Sequence, residues 1–296
     1  MQDGSDDNTD AKRMRTVAAL TANADSQNEI DGNGEYKWFD ENEPLTEEEK
    51  RYAVQQELQN LEQKGTFRRV PAEDLLPGEK AIGTTVVYTR KNGQPRARIC
   101  VQDFREQGAQ DPDLFSATPS ATALKVVLAH AARQAALHGS KASLFLADFT
   151  AAFLNAEIDK PVKVKPPRDL GHEEKKNHWQ LIKALYGLRI SPKLWTSHLR
   201  RILERMGWTQ TKQEPSLYVH GSTGALMLIH VDDLILSAST EFGMNVLEQL
   251  KSEMKLKSEK LVGEGDSGVY LGRTITRTAA GYKVQAYFNL VETSLA

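Results

Sequence analysis

The sequence predicts an α+β fold in which an antiparallel sheet is backed by helices. Three observations lead there. The stretch ALMLIHVDDLILSA, residues 225–238, sets two apolar, β-rich runs on either side of Asp232 and Asp233 and reads as a hairpin. The run SLFLADF, residues 143–149, reads as a further strand with Asp148 near its end. Amphipathic helical patterns separate these pieces, so the order runs strand, helix, hairpin, helix, strand.

The elements follow from the N-terminus. Residues 1–36 are rich in Asp, Asn, Gly, Thr and Ala and poor in large apolar groups, so they are expected to form a disordered acidic leader. Order is expected from near Trp38. Thr46 suits the cap of a helix through EEEKRYAVQQELQNLEQ, whose acids at 47–49 match the positive helix end and which Gly65 stops. TTVVYTR and RARICVQDF flank KNGQP, whose Asn92-Gly93 pair suits a tight turn needing positive φ. Residues 121–137 place Leu124, Val127, Leu128 and Ala131 on one helical side. After SLFLADF, KPVKVKPP and HWQLIKAL read as short strands. Ser191-Pro192 opens a helix, Ser191 as the cap and Pro192 in the first turn. Its stripe is Leu194, Trp195, Leu199, Ile202, Leu203 and Met206, and Gly207 ends it. FGMNVLEQLKSEMK is the last helix. SGVYLGRTITR and GYKVQAYF are strands around a turn at 279–281. The expected division is a leader at 1–36, one folded region at 37–120 and a second at 121–296.

A chain of 296 residues holds one large domain or two modest ones. The single cysteine, Cys100, excludes a disulfide framework and makes a reducing compartment the default. The start lacks an apolar signal segment, and no apolar run approaches the ~18 residues of a membrane span, so neither secretion nor a membrane partner is expected. Residues 1–50 hold 14 acids and 5 bases, and the remainder 26 acids and 33 bases. A basic body behind an acidic leader fits a polyanionic partner, although such an excess also occurs in proteins with other partners.

Three carboxylates on neighbouring strands can hold two divalent ions, the arrangement that joins or breaks phosphodiesters. Taken alone, Asp232-Asp233 reads first as an ordinary exposed turn, and Asp148 first as a helix cap for TAAFLNAEI. Their order, and the apolar runs around them, favour a shared site. Hard oxygen donors without a His or Cys cluster suit Mg2+, with Mn2+ as an alternative, and not zinc. Phe153 reads either as a core side chain or as a plate under a sugar that excludes a 2′-hydroxyl. Arg90, Lys91, Arg96, Arg98 and Arg105 read either as a solvated edge or as a clamp for a triphosphate.

Longer segments carry a resemblance. DFTAAFLNAEI, LIKALYGLRISPKLWTSHL, EPSLYVH, LIHVDDLIL and YLGRTI resemble the reverse transcriptase of copia-type LTR retrotransposons. TTVVYTRKNGQPRARICVQDF is similar to its fingers region more loosely. The likeness covers roughly residues 38–295, and KALYGL…SP…W combined with the V-D-D box is its specific part.

The resemblance implies a right-hand fingers–palm polymerase, with residues 37–120 as a fingers-like region and 121–296 as the palm with a primer-grip-like hairpin. It implies RNA- or DNA-templated DNA synthesis, two Mg2+ ions, deoxynucleoside triphosphates and a template–primer. Asp148, Asp232 and Asp233 fall on the metal ligands, and Phe153 on the sugar gate. Tyr186 and Gly187 fall in the segment lining the nucleotide and template site, and Arg96 and Arg98 near the triphosphate-contacting arginine. His230 stands where the family has Tyr, facing the primer, and Leu271 and Gly272 fall on the hairpin gripping the primer end. Ile190 replaces a polar residue, and FTAAF stands for V-K-T-A-F; neither removes an acid. No thumb, RNase H, integrase or protease pattern is expected within the chain, so other segments of a polyprotein are expected partners. The expected location is cytoplasmic, in a retroelement particle, or nuclear. The alternative reading is a catalytically inactive, truncated relic that keeps nucleic-acid binding.

Overall fold

The computed structural model describes residues 44–75, 79–91, 93–104, 118–171 and 174–286. The expected leader, the start of order near Trp38, Asn92 and Arg105 lie outside them. In chain order the first elements are α1 (Glu47–Gln63), β1 (Phe67–Pro71), β2 (Thr84–Lys91), β3 (Gln94–Val101) and α2 (Ala121–His138). Then come β4 (Ala142–Phe149), β5 (Glu157–Val164), β6 (Asn177–Lys183) and α3 (Ser191–Arg205). The rest are β7 (Trp208–Gln210), β8 (Leu217–His220), β9 (Leu226–His230), β10 (Asp233–Ser239), α4 (Thr240–Glu253), β11 (Leu256–Leu261), β12 (Ser267–Tyr270), β13 (Arg273–Thr278) and β14 (Gly281–Ala286). All pairings between these strands are antiparallel, in keeping with the α+β expectation.

The chain forms two compact units. Among the described residues, one takes those up to 104 together with those from 156 to 191, and the other 118–155 together with 192–286. This differs from the expected division at residue 120. The reason is β6, which pairs with both β1 and β5 and so draws 156–191 back to the N-terminal segment.

In the N-terminal unit, Thr46 and Glu49 form a reciprocal cap at the start of α1: each side chain accepts from the other residue's N–H. The helix packs on β3. β2 and β3 form the expected hairpin, with Lys91 opposite Gln94 and Gly93 at φ 73.

In the second unit, six strands lie in the order β11-β4-β10-β9-β8-β7. Both faces of β4 are covered, which explains its unbroken apolar run. Leu144 and Leu146 meet Leu124, Val127, Leu128 and Ala131 of α2, along with Leu228 and Ile235. On the other face, Phe145 lies so close to Gly243 of α4 that a Cβ there would come within 2.0 Å of its ring. Phe149 meets Trp195 of α3 edge-on at 5.3 Å. Ser120 caps α2 by accepting from the Ala123 N–H.

Three local expectations are corrected. Ser191 does not cap α3 from outside; it is the first helical residue, and its Oγ donates to the Leu185 carbonyl. TAAFLNAEI is not a helix after Asp148, since only residues 152–155 form a single 3-10 turn. SGVYLGRTITR is two strands, β12 and β13, folded back at Leu271-Gly272.

Candidate functional site

Strand register decides which acids can meet. Across β11, β4, β10 and β9, Lys257 stands opposite Asp148, Asp148 opposite Asp233, and Asp233 opposite His230. Directly opposed residues project from the same face, with Cβ atoms about 5 Å apart. A row of cation, two carboxylates and imidazole therefore crosses the sheet near its edge. Asp148, Asp233 and His230 are half-buried and Lys257 is exposed.

Asp232 lies in the two-residue turn that joins β9 to β10. Its neighbour Val231 has φ 52, a conformation that costs a β-branched residue strain. Both turn carbonyls are taken from outside the hairpin. The Trp195 indole N–H donates to the Val231 oxygen at 2.6 Å, and the Phe149 N–H donates to the Asp232 oxygen at 2.8 Å.

Strain recurs nearby in the sequence map of the site. Among the described residues, the non-glycine positions with positive φ are Ala151, Val231 and Leu271. Ala151 lies between Asp148 and Phe153, Val231 beside Asp232, and Leu271 beside Gly272. Such backbone strain concentrates where function over-determines a conformation. Phe153 itself is half-buried in the 152–155 turn. Leu271 and Gly272, at φ 51 and 66, make the tight turn between β12 and β13.

Two buried polar atoms adjoin the row. The Nδ1 of His230 and the hydroxyl of Tyr270 have no hydrogen-bond partner. Burial pushes the Tyr270 phenol up, and the charges of Asp233 and Glu214 add to the effect, so it stays neutral. Glu214 holds the start of α2 by accepting from the Ser120 N–H, and it also accepts from the Ser216 hydroxyl. Burial opposes ionisation of Glu214, but these bonds outweigh it and keep its carboxyl below the usual range.

Among the described residues no group of three or more His, Cys, Asp or Glu side chains closes into a metal cage. The donor chemistry nonetheless fits magnesium. Asp148, Asp232 and Asp233 offer hard oxygens, and Mg2+ keeps waters and substrate phosphates in its shell and draws on only one or two protein carboxylates.

The other expected residues belong to the N-terminal unit. Arg98 lies over the Tyr186 ring, 5.7 Å from its centroid. Tyr186 accepts from the Val101 N–H at 2.7 Å, and a Cβ on Gly187, at φ 78, would come within 2.2 Å of the Val101 oxygen. Arg98, Tyr186 and Gly187 are thus brought together, with Arg96 exposed two positions earlier on the same face of β3. Gly187 is required by this close backbone approach, a reason the sequence does not reveal. Lys257 also escaped the sequence reading, because a lone lysine in a polar strand gives no sign of its cross-strand partner. Trp195 was read only as part of a buried stripe; its N–H is the signal that was missed.

Comparisons with known proteins follow the same segments. A family model described as reverse transcriptase (RNA-dependent DNA polymerase) matches residues 70–293. The chain is 32% identical over 138 residues to a putative transposon Ty5-1 protein of Saccharomyces cerevisiae, covering 45% of this chain and 43% of that protein. It is 23% identical over 243 residues to the retrovirus-related Pol polyprotein from transposon TNT 1-94 of Nicotiana tabacum, covering 78% of this chain and 17% of that one. To the corresponding polyprotein from transposon RE1 of Arabidopsis thaliana it is 24% identical over 202 residues, covering 63% of this chain and 13% of that one. The chain spans less than half the length of each of these relatives.

Proposed function

We propose, from the premise that this chain belongs to the reverse transcriptase (RNA-dependent DNA polymerase) family, that it copies an RNA or DNA template into DNA for a copia-type retrotransposon. The six-stranded unit serves as the palm and the N-terminal unit as the fingers of a right-hand polymerase. The observation that carries the reading is the register that opposes Asp148 to Asp233, with Asp232 in the adjoining turn.

Asp148, Asp232 and Asp233 would hold a pair of Mg2+ ions, or Mn2+. When bound, such ions neutralise phosphate charge and favour an ionised attacking hydroxyl. The chain's own groups do the rest. Arg96 and Arg98 bind the triphosphate, and their fixed charge stabilises the departing pyrophosphate. Phe153 packs against the sugar and selects against a 2′-hydroxyl. His230 and the Leu271-Gly272 turn orient the primer end, which brings its 3′-hydroxyl in line with the α-phosphate. Lys257 adds positive charge beside Asp148. Segments such as RNase H and integrase, which belong to longer polyproteins, are the proposed partners, and a cytoplasmic particle or the nucleus is the proposed location.

Primer extension on an RNA template tests this. Asp232→Asn is expected to abolish incorporation in Mg2+ while the thermal melting temperature stays unchanged. Extension by this variant at the wild-type rate would end the metal-ligand assignment. If the unaltered chain binds template–primer but extends it in neither Mg2+ nor Mn2+, the inactive relic is the correct account.

A further inference from the structure

The turn that carries Asp232 is held from beneath by one side chain. Trp195, in the first turns of α3, is 1% exposed and donates its Nε1–H to the Val231 carbonyl oxygen at 2.6 Å. Its ring contacts Phe149 at 5.3 Å with 70° between planes, and the Phe149 N–H donates to the Asp232 oxygen. Two touching residues therefore grip both central carbonyls of a turn whose first residue is strained, with φ 52.

This bond is not a default of buried indoles in the molecule. Trp179 and Trp208 are equally buried, and their Nε1–H groups have no hydrogen-bond partner. Packing around the turn is not complete. A cavity of about 20 Å³ lies behind it, lined by residues that include Trp195, Ser216, Ile229 and Val231. That is room for about one water beside the turn. A directional bond to the Val231 oxygen opposes rotation of the Val231–Asp232 peptide, which sets where the Asp232 carboxylate points.

We propose that Trp195 is a positioning residue, acting through the Val231 carbonyl to keep Asp232 aimed at its ligand. The inference rests on the reading of Asp232 as a metal ligand. Trp195 itself touches neither metal nor substrate.

The test removes the donor and then removes the need for it. Trp195→Phe keeps an aromatic ring but has no N–H. Val231→Gly, placed in that background, lets the turn adopt positive φ without side-chain strain. Four readouts apply to the full chain: exchange of the Phe149 amide, Mn2+ binding by calorimetry, the Mg2+ requirement for primer extension, and thermal melting. Trp195→Phe is expected to weaken Mn2+ binding by about tenfold, the worth of one buried hydrogen bond, with faster Phe149 amide exchange and a higher Mg2+ requirement. Adding Val231→Gly is expected to restore all three. Exchange at the wild-type rate in Trp195→Phe, or a loss that the glycine leaves unrepaired, overturns the proposal and leaves Trp195 a packing residue. If Trp195→Phe fails to fold, incorporation of benzothienylalanine at 195 removes the donor while keeping the bicyclic shape, and the same outcomes decide. Equal Mn2+ binding by wild type and Asp232→Asn would instead remove the metal-ligand reading. Amide exchange would still decide whether the clamp exists.

Discussion

The β2–β3 and β9–β10 hairpins each connect their strands through two residues, and they do so with opposite chemistry. In the first, Gly93 takes φ 73 at no steric cost, and the Arg90 guanidinium of the same hairpin donates to its carbonyl oxygen. In the second, Val231 takes φ 52 against its own preference, and the turn is bonded by Trp195 and Phe149, which belong to other elements. A glycine turn is self-sufficient, so its shape says little about its surroundings. A strained valine turn persists only because the surrounding unit over-determines it, which ties the placement of Asp232 to the packing of α3 and β4.

Gly187 sharpens the comparison most, because there the backbone conformation and the available space make the same demand. Gly187→Ala must accommodate both φ 78 and a Cβ within 2.2 Å of the Val101 oxygen. A loss of about 3–5 kcal/mol is expected, in the range of severe core changes, and urea denaturation measures it. A loss below about 1 kcal/mol would mean that the Tyr186–Val101 contact rearranges freely.

The next largest effect comes from exchanging the turn residues. Gly93→Val puts a β-branched side chain at positive φ and is expected to cost about 1–3 kcal/mol. Val231→Gly relieves strain but gains unfolded-state entropy, so its stability is expected within about 1 kcal/mol of wild type. The comparison breaks if the two substitutions cost the same in paired melts, because the Val231 conformation would then carry no strain.

Why these features were or were not legible follows from the same contrast. Local signals were readable. Thr46 with Glu49 and the Lys91–Gln94 turn are satisfied within a few residues along the chain, and the stripe Leu124, Val127, Leu128, Ala131 shows in its helical spacing although its partners on β4, β9 and β10 are distant in sequence. The apolar run of β4 was readable too, since a strand covered on both faces needs no alternation. Ser191 misled because its hydroxyl found the Leu185 carbonyl, a tertiary partner, in place of a capping role. Asp148 and the V-D-D box stood out as acids among apolar residues. Their register did not, because opposition of Asp148 to Asp233 depends on residues 85 positions apart. Leu271 and Val231 at positive φ run against propensity, so only the folded unit reveals them. The fold class was thus legible from patterning, whereas the site's supporting groups, Lys257, Trp195 and Tyr270, depend on contacts that sequence spacing does not encode.

The smallest effect concerns the acid behind the first hairpin. Glu57 of α1 buries Oε1 without a hydrogen-bond partner, while Oε2 accepts from the Asn60 amide at 3.3 Å. Burial pushes its carboxyl above the ordinary 4.5, against the opposing pull of Asn60, the Ile99 backbone and the charges of Arg98 and Lys64. The folded state then binds this proton more tightly than the unfolded chain does. Stability from this group is complete below about pH 4.5 and falls as pH rises through the folded value. Burial holds the imidazoles of His130 and His178 below their ordinary 6.5, so they give the opposite slope, losing stability as pH falls. The total slope therefore hides the Glu57 contribution, and only a difference isolates it. Glu57→Gln keeps the shape and has no proton to lose. Its stability relative to wild type, from denaturant midpoints at a series of pH values, is expected to rise steadily above pH 4.5. A difference that stays flat with pH would show that Glu57 is solvated in the folded chain.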